Sequence, residues 1–195
     1  MKTLMITLFM LAVSASVLNA QTINADVKKS ILKWHGKKVT GEHYGNINLK
    51  SGMMEMKDNQ IVKGRFVIDM NSITCTDLTD ATYNAKLVNH LKSDDFFGVA
   101  KHPEAVIEIV KSTPFTNNEA TVEAKLTIKN ITHPVSFKVR KDGEAYSAEI
   151  VVDRSKYDVR YGSGSFFDGL GDKMIYDEFE MTVRIEAKAG NDMES

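Results

Sequence analysis

Cysteine is almost missing from this chain: Cys75 is the only one among 195 residues. An intramolecular disulfide is therefore excluded, and stability has to come from a hydrophobic core. The ordinary reading of Cys75 is a small, buried apolar side chain. An exposed thiol would instead open pairing between two chains and a homodimer. Charge of one sign is missing as well. The 25 basic and 26 acidic residues leave a formal net charge of −1, which becomes −2 when Lys2 is set aside with the leader described next. That balance carries no electrostatic footprint for nucleic acid.

Long apolar runs are confined to one place. Lys2 gives a positive start, Leu4 to Val13 are nearly all apolar, and small residues lead to Asn19-Ala20 ahead of polar Gln21-Thr22. The order is that of a secretory signal peptide over residues 1–20, and the run is shorter than the roughly 20 apolar residues that span a bilayer. Leu18 is bulky for its distance from the cut, so cleavage after Ala15 or Ser16 is the alternative. No cysteine is placed there for a lipid anchor. No later segment is long and apolar enough for stable membrane insertion. The expected location is periplasmic or secreted, with residues 21–195 as one domain.

Period-2 alternation dominates that domain. Ala120, Val122, Ala124, Leu126 and Ile128 alternate with Thr121, Glu123, Lys125 and Thr127. This is a strand with one dry and one wet face. Val135, Phe137 and Val139 form a second dry set, and Tyr146, Ala148, Ile150 and Val152 a third. The longest run sets Ile175, Phe179, Met181, Val183, Ile185 and Ala187 against Tyr176, Glu178, Glu180, Thr182, Arg184, Glu186 and Lys188. Earlier strands hold Leu32-Trp34, Ile47 with Leu49, and Val62, Phe66, Ile68 and Met70. Ala105, Ile107 and Ile109 make another, blurred by Val106 and Val110. Hairpin turns are expected at Lys57-Asp58-Asn59, Thr116-Asn117-Asn118, Asn130-Ile131-Thr132-His133-Pro134 and Lys141-Asp142-Gly143.

One segment breaks the pattern. Across Asp80–Phe97, Tyr83, Leu87, Val88 and Leu91 follow helical spacing, Asp80 can cap the start and Gly98 follows the end. Arg160–Lys173, with four glycines, reads as a long mobile loop. About eight antiparallel strands with meander connections can close into a barrel or pack as a sandwich, and alternation alone leaves both open.

Particular residues narrow that choice. Trp34-His35-Gly36 is followed by Gly41-Glu42-His43-Tyr44-Gly45, then by Gly64–Ile73 leading to Asp77. The block Leu87-Val88-Asn89-His90-Leu91-Lys92-Ser93-Asp94-Asp95-Phe96-Phe97 follows, with His102-Pro103 after it. Leu126–Val135 and Asp153-Arg154-Ser155-Lys156-Tyr157 complete the order. The whole resembles the YceI-like family of bacterial secreted proteins. The resemblance implies an all-β fold, an antiparallel eight-stranded lipocalin-like barrel with one short inserted α-helix. It also implies a long apolar tunnel for a polyisoprenoid, an isoprenoid quinone or another long-chain fatty lipid, with no cofactor and no catalysis. Asn130 stands where the family often has Gly, and Asn tolerates the same positive φ. The loop with Phe166-Phe167 fits one branch of the family only.

Packed interiors are the default for any dry strand face; small Ala105, Ala120, Ala124 and Ala148 and the family resemblance favour a cavity. Its expected lining is Trp34, Val62, Phe66, Ile68, Leu91, Ile107, Leu126, Phe137, Ile150, Phe179 and Met181. Phe96 and Phe97 either gate the mouth or anchor the helix to the core. Arg154 either meets a polar head group or forms an ion pair, with Asp153 beside it, that fixes a strand end. The rival reading is a metal-dependent enzyme or metal-binding protein in which His35 and His43, flanking one turn, face each other. Against an enzyme, Gly162-Ser163-Gly164-Ser165 lacks the spacing and setting of a nucleophile elbow. The acidic residues Asp168, Asp172, Asp177 and Glu178 lack the spacing of a calcium loop.

Overall fold

The computed structural model describes residues 20–188, so nearly all of the leader expected at 1–20 lies outside the described residues. Strands β1 (Gln21–Asn24), β2 (Ile31–Lys38), β3 (Gly41–Lys57) and β4 (Gln60–Asp69) come first. Helix α1 (Ala81–Lys92) follows. Then come β5 (Glu104–Ser112), β6 (Glu119–Ile128), β7 (Ile131–Asp142), β8 (Ala145–Asp153) and β9 (Ile175–Glu186). All pairings between these strands are antiparallel. The order runs β3-β2-β9-β8-β7-β6-β5-β4 and returns to β3. β1 extends β2 along the same side of β3, with Gln21 opposite Met56 and Leu32 opposite Ile47. The result is a closed barrel with eight strand positions. Closure leaves none of the eight positions as a free edge along its whole length, which alternation could not show. Among the described residues no helix is long and apolar enough to cross a membrane.

Bulges explain where the sequence pattern blurs. Ile109 faces Ala124 while Lys111 faces Glu123, so Val110 is an extra residue pushed outward, 51% exposed. A second bulge sets Glu55 opposite Lys63 and Met56 opposite Ile61, leaving Val62 unpaired between them. A bulge shifts the inside–outside parity of its strand.

The turn after β6 is shorter than the sequence suggests. It is Lys129-Asn130 alone, with φ 51° and 63°, and Ile131 already pairs with Ile128. Pro134 therefore lies inside β7. It is tolerated because β7 pairs with β8 only from Val139 to Asp142, which leaves the stretch around Pro134 without a partner on that side.

α1 ends at Lys92, five residues before Phe97. Asp80 caps it, accepting from the Thr82 and Tyr83 N–H groups, and the Ser93 N–H and hydroxyl both donate to the His90 carbonyl. The face it presents to the protein keeps Leu87 and Leu91 of the expected set but not Tyr83. Tyr83 is 65% exposed, while the Asn84 amide donates to the carbonyls of Cys75 and Leu78. Those bonds tie α1 to the segment 73–77, which runs along the start of β3: the N–H groups of Thr74 and Thr76 donate to the carbonyls of Asn46 and Tyr44. The approach is close enough to demand glycine at position 45, where a Cβ would fall 1.9 Å from the Thr74 oxygen.

Candidate functional site

The barrel is hollow. A cavity of about 270 Å³ runs inside it, lined by side chains from the barrel strands and α1. Inward residues of β9 from Ile175 to Ile185 lie along it. At about 3.3 Å per residue and a tilt of roughly 35–45°, that stretch extends about 25 Å along the axis. The shape is a tunnel rather than a pit. Inward residues such as Ile68, Ile107, Phe137, Ile150, Phe179 and Met181 stay only partly buried although they point into the protein. In a solid core they would have no accessible surface left.

The two ends differ. At one, Met54, Ile61, Tyr146 and Ile185 are all buried, and the Phe115 ring stands edge-on to Tyr146 at 6.2 Å. At the other, Lys37, Lys38, His43, Ile175 and Tyr176 keep contact with solvent. Leu87, His90 and Leu91 of α1 line the cavity together with Phe96 and Phe97. α1 has no fully buried residue because its apolar face covers a hollow.

Of the expected lining, thirteen residues are on the cavity wall: Trp34, Phe66, Ile68, Leu91, Phe96, Phe97, Ile107, Leu126, Phe137, Ile150, Arg154, Phe179 and Met181. Val62 is not. The bulge gives its inward place to Ile61, 1% exposed, and nothing in the alternation signals the swap. Ala105 and Ala148 line the cavity as small residues, whereas Ala120 and Ala124 are packed into the core away from it. Trp34 is held by its indole N–H, which donates to the Thr74 carbonyl at 2.9 Å. Phe96 is buried beneath the Arg154 guanidinium, 5.4 Å away, and acts as an anchor. The Phe97 ring instead meets Phe179 on the cavity wall at 6.3 Å.

Arg154 is buried, and its hydrogen bonds are to the backbone. It donates to the carbonyls of Tyr176, Val159, Tyr161 and Ile175 at 2.9–3.1 Å. Its acidic partner is Asp177 at 3.4 Å, while Asp153 accepts from the Ser155 N–H and hydroxyl. Burial lowers the guanidinium's pKa from its ordinary value, and Asp177 and Asp153 pull it back up. These contacts fix the base of the 160–173 loop, where Ser163 is fully buried. Asp177 was detectable in the sequence: it is a carboxylate in the dry register of β9.

His35 and His43 do not face each other. His35 is opposite Tyr44 and Gly36 is opposite His43, so the two histidines fall on opposite faces of the β2–β3 pair. His35 reaches Glu42 and Glu180 on the outside. His43 lines the cavity mouth, and its Nδ1 meets Asp77 at 2.8 Å. Among the described residues no three His, Cys, Asp or Glu side chains converge as a metal site would require. Cys75 is buried, and burial pushes its thiol pKa up. The exposed thiol that a covalent dimer needs is absent.

The family model for the YceI-like domain matches residues 22–187. The chain belongs to the YceI-like family. Among solved structures, BcnA of Burkholderia cenocepacia is 22% identical, covers 84% of this chain and 99% of its own, and superposes with a TM-score of 0.64. A polyisoprenoid binding domain from Saccharophagus degradans, implicated in plant cell wall breakdown, is 14% identical over 85% of this chain and 98% of its own, at 0.54. The Campylobacter jejuni YCEI protein is 15% identical over 97% and 94%, at 0.50. At these identities the likeness is one of fold. No curated protein is similar enough to be matched.

Proposed function

We propose that this YceI-like protein is a binding protein, not an enzyme, and that it sequesters or carries a polyisoprenoid or other long-chain amphiphilic lipid in its barrel. The observation that carries this reading is the unfilled, apolar lumen, about 25 Å long by the strand geometry above, with buried residues at one end and solvent-contacting ones at the other. Among the described residues no Asp or Glu lines it. The driving force is removal of hydrocarbon from water, at roughly 0.8 kcal/mol for each methylene. A linear chain uses that force well in a narrow passage. The polyisoprenoid binding named for the Saccharophagus domain agrees with such a cargo. An isoprenoid quinone, a fatty acid or a fatty amide belongs to the same class.

The leader-like start supports a periplasmic or secreted location, with residues 21–195 as the mature domain. Native mass spectrometry of the purified protein, before and after solvent extraction, tests the reading. A bound long-chain lipid, or rebinding of one to the stripped protein, is expected. A ligand-free spectrum together with failure to bind any added prenyl or fatty lipid would refute it.

A further inference from the structure

The tunnel wall is apolar almost throughout, so a head group has few places to be recognised. One is built at the mouth. Asp77 is nearly buried and has its acceptor sites used: Oδ2 faces His43 Nδ1 at 2.8 Å, while Oδ1 accepts from the Tyr44 N–H at 2.9 Å and from the Cys75 thiol at 3.2 Å. A carboxylate that only accepts holds the imidazole proton on Nδ1. In the neutral ring, Nε2 is then left as an acceptor, and it has no hydrogen-bond partner among the described residues. His43 lines the cavity, and directly across the β2–β3 pair is Gly36, also on the wall. A side chain at Gly36 would meet nothing within 4 Å. The wall therefore has an open notch beside a fixed hydrogen-bond acceptor.

We propose that His43, oriented by Asp77 and flanked by the notch at Gly36, is the head-group site of the tunnel. The head group it selects bears a hydroxyl: a prenyl alcohol, a phenol or a hydroquinone. This rests on the lipid-tunnel reading above. A hydroxyl can donate to Nε2, whereas a head group that only accepts finds no donor on the neutral ring. An anionic head would have to sit in line with the Asp77 carboxylate across the same ring. The cations on the wall offer such an anion little. Lys37 is paired with Glu180 at 2.9 Å, Arg154 is committed to four carbonyls and Asp177, and Lys38 is exposed at the rim.

The test compares geranylgeraniol, its methyl ether and geranylgeranyl phosphate by competition against a fluorescent long-chain fatty probe. The proteins are the wild type, His43→Leu, Asp77→Asn and Lys38→Met, each checked for folding by thermal melting. The wild type is expected to favour the alcohol over the ether roughly fivefold to tenfold, the worth of one hydrogen bond. His43→Leu binds both alike. Asp77→Asn is the decisive variant. The introduced amide oxygen keeps the Tyr44 and Cys75 bonds, but its NH₂ donates to Nδ1 and moves the imidazole proton to Nε2. The preference for the alcohol should then vanish, because the oxygens of alcohol and ether both accept from Nε2–H. A purely structural role for Asp77 would leave the preference as it is in the wild type.

The head-group assignment is overturned if the wild type binds alcohol and ether equally, if His43→Leu still discriminates, or if Asp77→Asn keeps the wild-type preference for the alcohol. A phosphate preference that disappears in Lys38→Met overturns it in favour of an anion site. In each of those cases the ligands still bind and the tunnel reading stands. If no ligand displaces the probe and the probe itself does not bind, the tunnel reading fails and the assignment falls with it.

Discussion

Filling the lumen separates a hollow barrel from a solid one. Ala148 lies mid-strand on β8, paired with Val139 and Val183, and lines the cavity. In Ala148→Phe the new ring projects into the hollow and takes the place of roughly five or six methylenes of cargo. At about 0.8 kcal/mol each the loss is about 4–5 kcal/mol, on the order of a thousandfold in affinity. The stability of the ligand-free protein should move the other way or not at all. An extra aromatic in a closely packed core costs about 1–3 kcal/mol, whereas here the ring gains apolar contact by entering unfilled space. Urea unfolding of the stripped protein and titration with a long-chain lipid read the two effects separately. A loss of more than about 1 kcal/mol in stability, or lipid affinity within a few-fold of the wild type, would refute the reasoning.

Arg154→Met should destabilise the fold by about 3–5 kcal/mol, because four backbone carbonyls lose their donor and the partly buried Asp177 loses its counter-charge. Denaturant midpoints check this, and Arg154→Lys should recover little, since an ammonium cannot serve the same fork of acceptors. Gly45→Ala drives a Cβ to within 1.9 Å of the Thr74 oxygen, and a loss of about 2–3 kcal/mol with weakened docking of 73–77 is expected. Hydrogen exchange at Thr74 and Thr76 would show it. Burial alone would raise the Asp77 carboxyl pKa, but the hydrogen bonds from His43, the Tyr44 N–H and Cys75 outweigh burial and hold it below its ordinary value. Its stabilising effect is therefore complete above the ordinary aspartate value near 3.9 and is lost as pH falls through the lower folded value. Unfolding free energy should fall more steeply below about pH 4 in the wild type than in Asp77→Asn. Cys75 should resist alkylation in the folded protein and react on unfolding, since the thiol is buried and burial raises its pKa; rapid native labelling would contradict its burial.

Strands with one wet and one dry face were legible because solvent acts on every second residue. β6 and β8 carry the predicted dry sets, and so does β9 apart from Asp177. Legibility failed where the backbone departs from that period. A bulge moved Val62 off the inner face and brought Ile61 onto it, and another expelled Val110. His35 and His43 looked like a pair because they are near in sequence, but cross-strand register decides faces, and an odd offset separated them. α1 was found, yet its inward face holds Asn84 rather than Tyr83, because two carbonyls of the 73–77 segment and its exit fix the helix rotation.

Whether the barrel is full or empty is a question of volume, and alternation contains no volume. Eight strands enclose a space that inward side chains are just able to fill, so a tunnel requires small residues at particular inward positions. Small size alone does not locate them. Ala105, Ala148 and Gly36 line the cavity, whereas Ala120 and Ala124 have neighbours packed over them. Gly52 is different again: a Cβ there would lie 2.5 Å from the Phe66 ring, so that glycine admits an aromatic rather than a cargo. Each small residue acquires its meaning from what stands across the barrel. That relation depends on closure, register and bulges together, which is why the hollow can be traced to named residues only after the fold is known.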